Sequence, residues 1–84
     1  MMFVVFNGFS EAARFKGISR ISELMEKVAD FMSENNLRKC MVQQVRKGEL
    51  SGNRYVVWNT LGNYYYKTHE TVTHCKKIRE EAVC

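Results

Sequence analysis

The stretch RYVVWNTLGNYYYKT, residues 54–68, fills both of its halves with β-branched and aromatic residues and sets Leu61-Gly62-Asn63 between them as a turn. It reads as two strands, Arg54 to Thr60 and a second over Tyr64, Tyr65 and Tyr66. Immediately upstream, Cys40 to Arg46 has strand character, and a loop containing Gly48, Ser51 and Gly52 joins it to Arg54 as a hairpin. Together these segments predict a three-stranded meander. Alternate side chains on a strand face opposite ways, so Tyr64 and Tyr66 share one face and Tyr65 takes the other; likewise Tyr55 and Val57 oppose Val56 and Trp58.

Working outward, the opening MMFVVFNG is an apolar run of strand length closed by the turn signal Asn7-Gly8, and is expected to be a central strand. The following FSEAARFKG offers Ser10 as an N-cap ahead of Glu11, Ala12 and Ala13, with Gly17 as a stop, which predicts a short helical turn. Ile21, Leu24, Met25, Val28, Phe31 and Met32 then recur at helical spacing behind Ser19 as a cap, and Asn35 and Asn36 can take the left-handed conformation that ends a helix. The outer face of this helix carries Glu23, Glu26, Asp30 and Glu34 against Lys27. At the other end, Thr68 stands where it can cap a closing helix with Val72, Cys75, Ile78 and Ala82 inward and Lys76, Lys77 and Arg79 outward. The expected fold is therefore a small α+β domain over residues 1–84 in the order β-α-β-β-β-α, an antiparallel sheet packed on one long amphipathic helix and a C-terminal helix.

Composition agrees with one packed domain. A chain of 84 residues, 45% hydrophobic, 12% aromatic and free of proline, is far from the profile of disordered sequences. At this length roughly 60–65% of the unfolded surface is buried on folding, so stability is expected to be modest. No apolar run reaches the ~18–20 residues needed to cross a bilayer, and the first residues lack the marks of a secretory leader. Cys40, Cys75 and Cys84 are odd in number and unpatterned, which points to free thiols in a cytoplasmic setting.

Charge is unevenly distributed. Residues 1–37 carry a net −1, residues 38–79 a net +7 and residues 80–84 a net −2. A basic surface of that kind attracts polyanions, because neutralising each phosphate releases condensed counterions. With aromatic rings nearby it can also stack bases. The expected function is a non-catalytic nucleic-acid-binding module, RNA or DNA, in which Arg46, Lys47, Arg54, Lys67, Lys76 and Lys77 meet phosphates and Trp58, Tyr64 and Tyr66 offer stacking rings. The alternative is a small protein-interaction module, an inhibitor or adaptor of the kind phages and mobile elements carry, which occupies a host protein through its sheet face or its acidic helix. A homodimer, through the edge strand or through Cys84, is compatible with either.

The octamer SGNRYVVW, residues 51–58, is similar to the third-strand octamer of the RNA-recognition motif, with Gly52, Tyr55, Val56 and Trp58 in matching slots. Ser51 and Asn53 depart from that pattern, and strand followed by helix after residue 60 reverses the order that fold requires. No family follows from it. His69, His74, Cys75 and Cys84 lack metal-ligand spacing, no phosphate-binding glycine loop occurs, and nothing local activates Cys40 as a nucleophile, so neither a metal, a cofactor nor an enzymatic activity is expected.

Overall fold

The computed structural model describes residues 1–68 and 76–78. Strands β1 (Met2–Asn7) and β2 (Ser10–Phe15) precede helix α1 (Ile21–Glu34), and β3 (Lys39–Arg46), β4 (Glu49–Thr60), β5 (Asn63–Thr68) and β6 (Lys76–Lys77) follow it. All neighbours in the sheet are antiparallel, in the order β2-β1-β3-β4-β5-β6. β1 and β3 are adjacent although β2 and α1 lie between them in sequence, and the helix crosses one face of the sheet on the way.

Two sequence expectations are corrected. Residues 10–15 form an edge strand rather than a helical turn: Gly8 takes φ 66, Asn7 and Ser10 pair across a two-residue loop, and the chain returns along β1. Six residues are too few for a stable helix in water, whereas pairing satisfies the open edge of β1 and lets Ala13 and Phe15 pack on the core. The expected C-terminal helix is not seen among the described residues. Thr68 belongs to β5, Lys76 and Lys77 pair with Tyr66 and Tyr65, and the Ile78 amide donates to the Tyr64 carbonyl at 2.8 Å. β5 thereby gains a hydrogen-bonding neighbour, and Ile78 reaches the core from an extended segment. The other positions assigned to that helix, Val72, Cys75 and Ala82, lie outside the described residues, as do His69, His74 and Cys84. The order is β-β-α-β-β-β-β, with one helix among the described residues.

The long helix forms as its periodicity requires. Leu24, Met25, Val28, Ala29 and Met32 are buried, and full burial of each larger side chain is worth about 1.5–3 kcal/mol. Its N-cap is Arg20, without a side-chain cap bond, and not Ser19. At the other end Asn36 adopts φ 54, the Leu37 amide donates to the Met32 carbonyl at 2.9 Å, and Asn35 Nδ2 donates to the Phe31 carbonyl at 2.8 Å. This pattern satisfies the helix's last carbonyls and turns the chain into β3. The helix packs on one sheet face, against Phe3, Val5, Val42, Tyr55 and Val57, with Cys40, Ile18 and Ile78 around them. No helix among the described residues is long and apolar enough to cross a membrane.

β3 and β4 are interrupted by a bulge. Gln43 pairs with Arg54 and Val45 with Leu50, so Gln44 alone faces Ser51, Gly52 and Asn53. The Asn53 amide freed from the ladder donates to Gln44 Oε1 at 3.1 Å, and Gly52 adopts φ 102. Beyond the bulge, residues 46–54 are all exposed, so the hairpin runs on as an arm.

Candidate nucleic-acid interface

The helix covers one face of the sheet; on the other face the described side chains range from the buried Val4 and Gln43 to half-buried rings and exposed cations. Residues paired directly across antiparallel strands share a face, so the register assigns this open surface. One row across it reads Lys39, Trp58, Tyr65, Lys77. The next reads Phe6, Met41, Val56, Lys67, and beyond it come Val4, Gln43 and Arg54.

Trp58 and Tyr65 form the centre. Their rings stack with centroids 5.9 Å apart at an interplanar angle of 25°, and both are half-buried. Beside them a shallow groove of about 370 Å³ is lined by Arg38, Lys39, Val56, Trp58 and Lys67. Three cations thus rim a floor made of an indole and a valine. The Asn59 amide donates to the Arg38 carbonyl at 2.8 Å, which fixes the start of β3 against β4 and so sets Arg38 beside the groove. Lys77 reaches the same row from β6, next to Tyr65.

Arg54 lies farther along β4. Its Nε donates to Gln43 Oε1 at 2.8 Å, and Gln43 Nε2 in turn donates to the Gln44 carbonyl at 3.1 Å. The partner is a neutral amide, so this contact orients the guanidinium without cancelling its charge. Among the described residues an ion pair is seen at Arg14–Glu11 on β2, bidentate at 2.6 and 2.8 Å, where the Arg14 guanidinium holds the Glu11 carboxyl below its usual range.

The residues singled out by the sequence are only partly brought together. Trp58, Lys67 and Lys77 meet on the open face, with Arg54 farther down the same face. Arg46 and Lys47 sit at the tip of the β3–β4 arm, exposed. Lys76 pairs with Tyr66 and lies on the helix side. Tyr64 and Tyr66 also face the helix and pack on the core, Tyr66 edge-on to Tyr55 with centroids 6.3 Å apart at 69°. The ring that stands with Trp58 is Tyr65, which sequence reasoning passed over together with Arg38 and Lys39; the length of the β4–β5 turn is the signal that would have found Tyr65.

Cations and ring faces can hold phosphates and bases, whereas Cys40, the thiol among the described residues, is buried on the helix side with its pKa pushed up to about 12 by desolvation, which leaves it protonated at neutral pH. No group of three or more metal-ligating side chains occurs among the described residues. Fold and site together define a small α+β domain with aromatic and basic residues on the sheet face away from the helix. No protein-family model, curated protein or solved structure matches the chain.

Proposed function

We propose that the protein is a non-catalytic nucleic-acid-binding module working through its open sheet face in the cytoplasm. The observation that carries this reading is the juxtaposition of the stacked Trp58–Tyr65 pair with a groove rimmed by Arg38, Lys39 and Lys67. A base stacked on an exposed ring gains roughly 1–3 kcal/mol whatever its identity, and lysines within reach of the same groove neutralise the adjoining phosphates. Trp58 is the chain's one tryptophan, so its fluorescence reports on this site alone. Titration with a short oligonucleotide should quench it, with an affinity that falls steeply as salt rises; charge reversal at Lys39 and Lys67 should flatten that slope. Binding weaker than millimolar at low salt would end the reading.

A second reading is favoured by the apolar row Phe6, Met41 and Val56 beside the two rings, which suits a protein partner better than a phosphate backbone. A pull-down with and without nuclease separates the two: a stoichiometric protein that survives nuclease supports the interaction module, and co-purified nucleic acid supports the first.

A further inference from the structure

We propose that the β3–β4 arm is a second contact for the same ligand, so that one single strand of nucleic acid runs from the Trp58–Tyr65 row, past Arg54, to Arg46 and Lys47 at the tip. The inference rests on reading the open face as a nucleic-acid interface. The cations fall in two groups at opposite ends of β3, Lys39 in the aromatic row and Arg46 at the arm, seven residues apart by number; that odd step turns the Arg46 side chain to the other side of the arm, beside Gly52, so the strand would meet it by passing over the tip. At the usual strand rise that separation is about 23 Å, or about seven phosphates at a stacked spacing near 3.4 Å and fewer if the strand is extended. Arg54 lies between, exposed on the open face and oriented by Gln43. The arm does not hang freely from the sheet. Gln44 Oε1 accepts the Asn53 amide at the bulge and Gln43 Nε2 reaches the Gln44 carbonyl, so the base of the arm is pinned by buried amides and the tip is held at a set angle. Lys47 occupies the turn at φ 50, and Glu49 faces Arg46 across the ladder, which leaves the tip with net positive charge. Base stacking at one end and phosphate contacts at the other favour a single strand, whose unpaired bases are free to reach the rings.

The test is a length series read by Trp58 quenching, with dT3 and dT12 as DNA probes and U3 and U12 beside them to tell RNA from DNA. A trinucleotide fills the aromatic row but falls short of the tip. A dodecamer reaches it. Because a single strand contributes about 0.7 to the salt slope per neutralised phosphate, two or three added contacts should steepen the slope for the dodecamer by about 1.5–2 relative to the trinucleotide. The slope is the better readout, since the number of ways a long strand can sit alters affinity but not its salt dependence. The double variant R46Q/K47Q, on exposed positions and checked for native circular dichroism, should weaken dodecamer binding roughly tenfold at low salt and leave the trinucleotide within about twofold. Equal slopes for the two lengths, or a dodecamer slope unmoved by the double variant, would overturn the spanning contact alone. Failure of every probe to quench Trp58 at millimolar concentration would overturn the open-face reading and this inference with it.

Discussion

Gly52 is the position where a single added methyl group should cost most for its size. A Cβ built there would meet Gln44 Oε1 at 2.5 Å, Gln44 Cδ at 2.9 Å and Arg46 Nε at 3.2 Å, on a backbone at φ 102. The backbone strain of a non-glycine residue in that region is roughly 1–2 kcal/mol. Gln44 is 4% exposed, so its amide has little room to retreat. If it moves, the bond from the Asn53 amide is lost, a further cost of about 1 kcal/mol. Gly52→Ala should therefore destabilise the fold by about 2–3 kcal/mol, which for a domain this small lowers Tm by about 10–20 °C. Urea unfolding followed by Trp58 fluorescence and by far-ultraviolet circular dichroism gives the number. The mechanism is checked by adding Gln44→Ala. Removing the two closest clashing atoms leaves the backbone strain and the 3.2 Å approach to Arg46 Nε, so the double variant should be less destabilised than the sum of the singles by about 1 kcal/mol. A Gly52→Ala protein within about 0.5 kcal/mol of the parent, or strict additivity with Gln44→Ala, would refute the account of the bulge as a packed and pinned joint.

Three other expectations follow from single sites. Leu61 is almost fully exposed and held at φ 53, so Leu61→Asn, a residue that tolerates this conformation, should raise stability by roughly 1 kcal/mol in the same urea assay. Cys40 titrates near 9 when unfolded and at about 12 when folded, so between those pH values the unfolded chain binds fewer protons than the folded one and stability falls as pH rises. The loss approaches about 1.4 kcal/mol per pH unit at most, burial of Tyr55 adds to it in the same direction at higher pH, and Cys40→Ala should remove the part that begins near pH 9. Finally, Tyr65→Ala should weaken oligonucleotide binding by about 1–3 kcal/mol with the fold intact, measured by fluorescence anisotropy, and an unchanged affinity would remove Tyr65 from the interface.

How much of this was legible depends on which physical signal each element carries. Helix α1 announces itself because five of its buried side chains repeat at helical spacing, and its C-terminal stop is written in Asn35 and Asn36. β3, β4 and β5 show in their β-branched and aromatic runs. β2 was hidden because Ser10 to Phe15 contains two alanines and a glutamate, good helix formers, and only the unpaired edge of β1 overrides that preference. β6 is two lysines long, too short for any period, and its place is set by the open edge of β5 and the burial of Ile78. The separation of Arg46 and Lys47 from the aromatic row was equally hidden. Charge counted by segment shows that cations are near one another in sequence, but a hairpin carries its tip away from its base, and the bulge at Gln44 lets β4 extend well past the helix-covered sheet.

The composition of the open face turns on one residue of register. If Asn63 belonged to the β4–β5 turn, Thr60 would face Tyr64, Trp58 would face Tyr66, and the two outer tyrosines of the triplet would share a surface with the tryptophan. Instead the loop is two residues, Leu61 at φ 53 and Gly62 at φ 83, closed by the Gly62 amide donating to Asn59 Oδ1 at 3.0 Å, and Asn63 opens β5 opposite Thr60. Since side chains alternate with a period of two, that single shift moves every β5 residue to the other face relative to β4. The paired positive φ angles are the hairpin geometry that matches strand twist, but leucine in the first of them carries none of the usual asparagine or glycine signal, so residue type conceals the turn. Packing supports this choice over the alternative. It places two rings, Tyr64 and Tyr66, against Ile78, Tyr55 and the helix, and leaves one, Tyr65, to stack on Trp58, whereas the shifted register would set two rings on the open face and one on the core. The aromatic pair on the open face and the lysine beside the groove, Lys67, are thus consequences of how the chain buries the greater part of its tyrosine surface, and any change that draws Asn63 into the turn should dismantle both together.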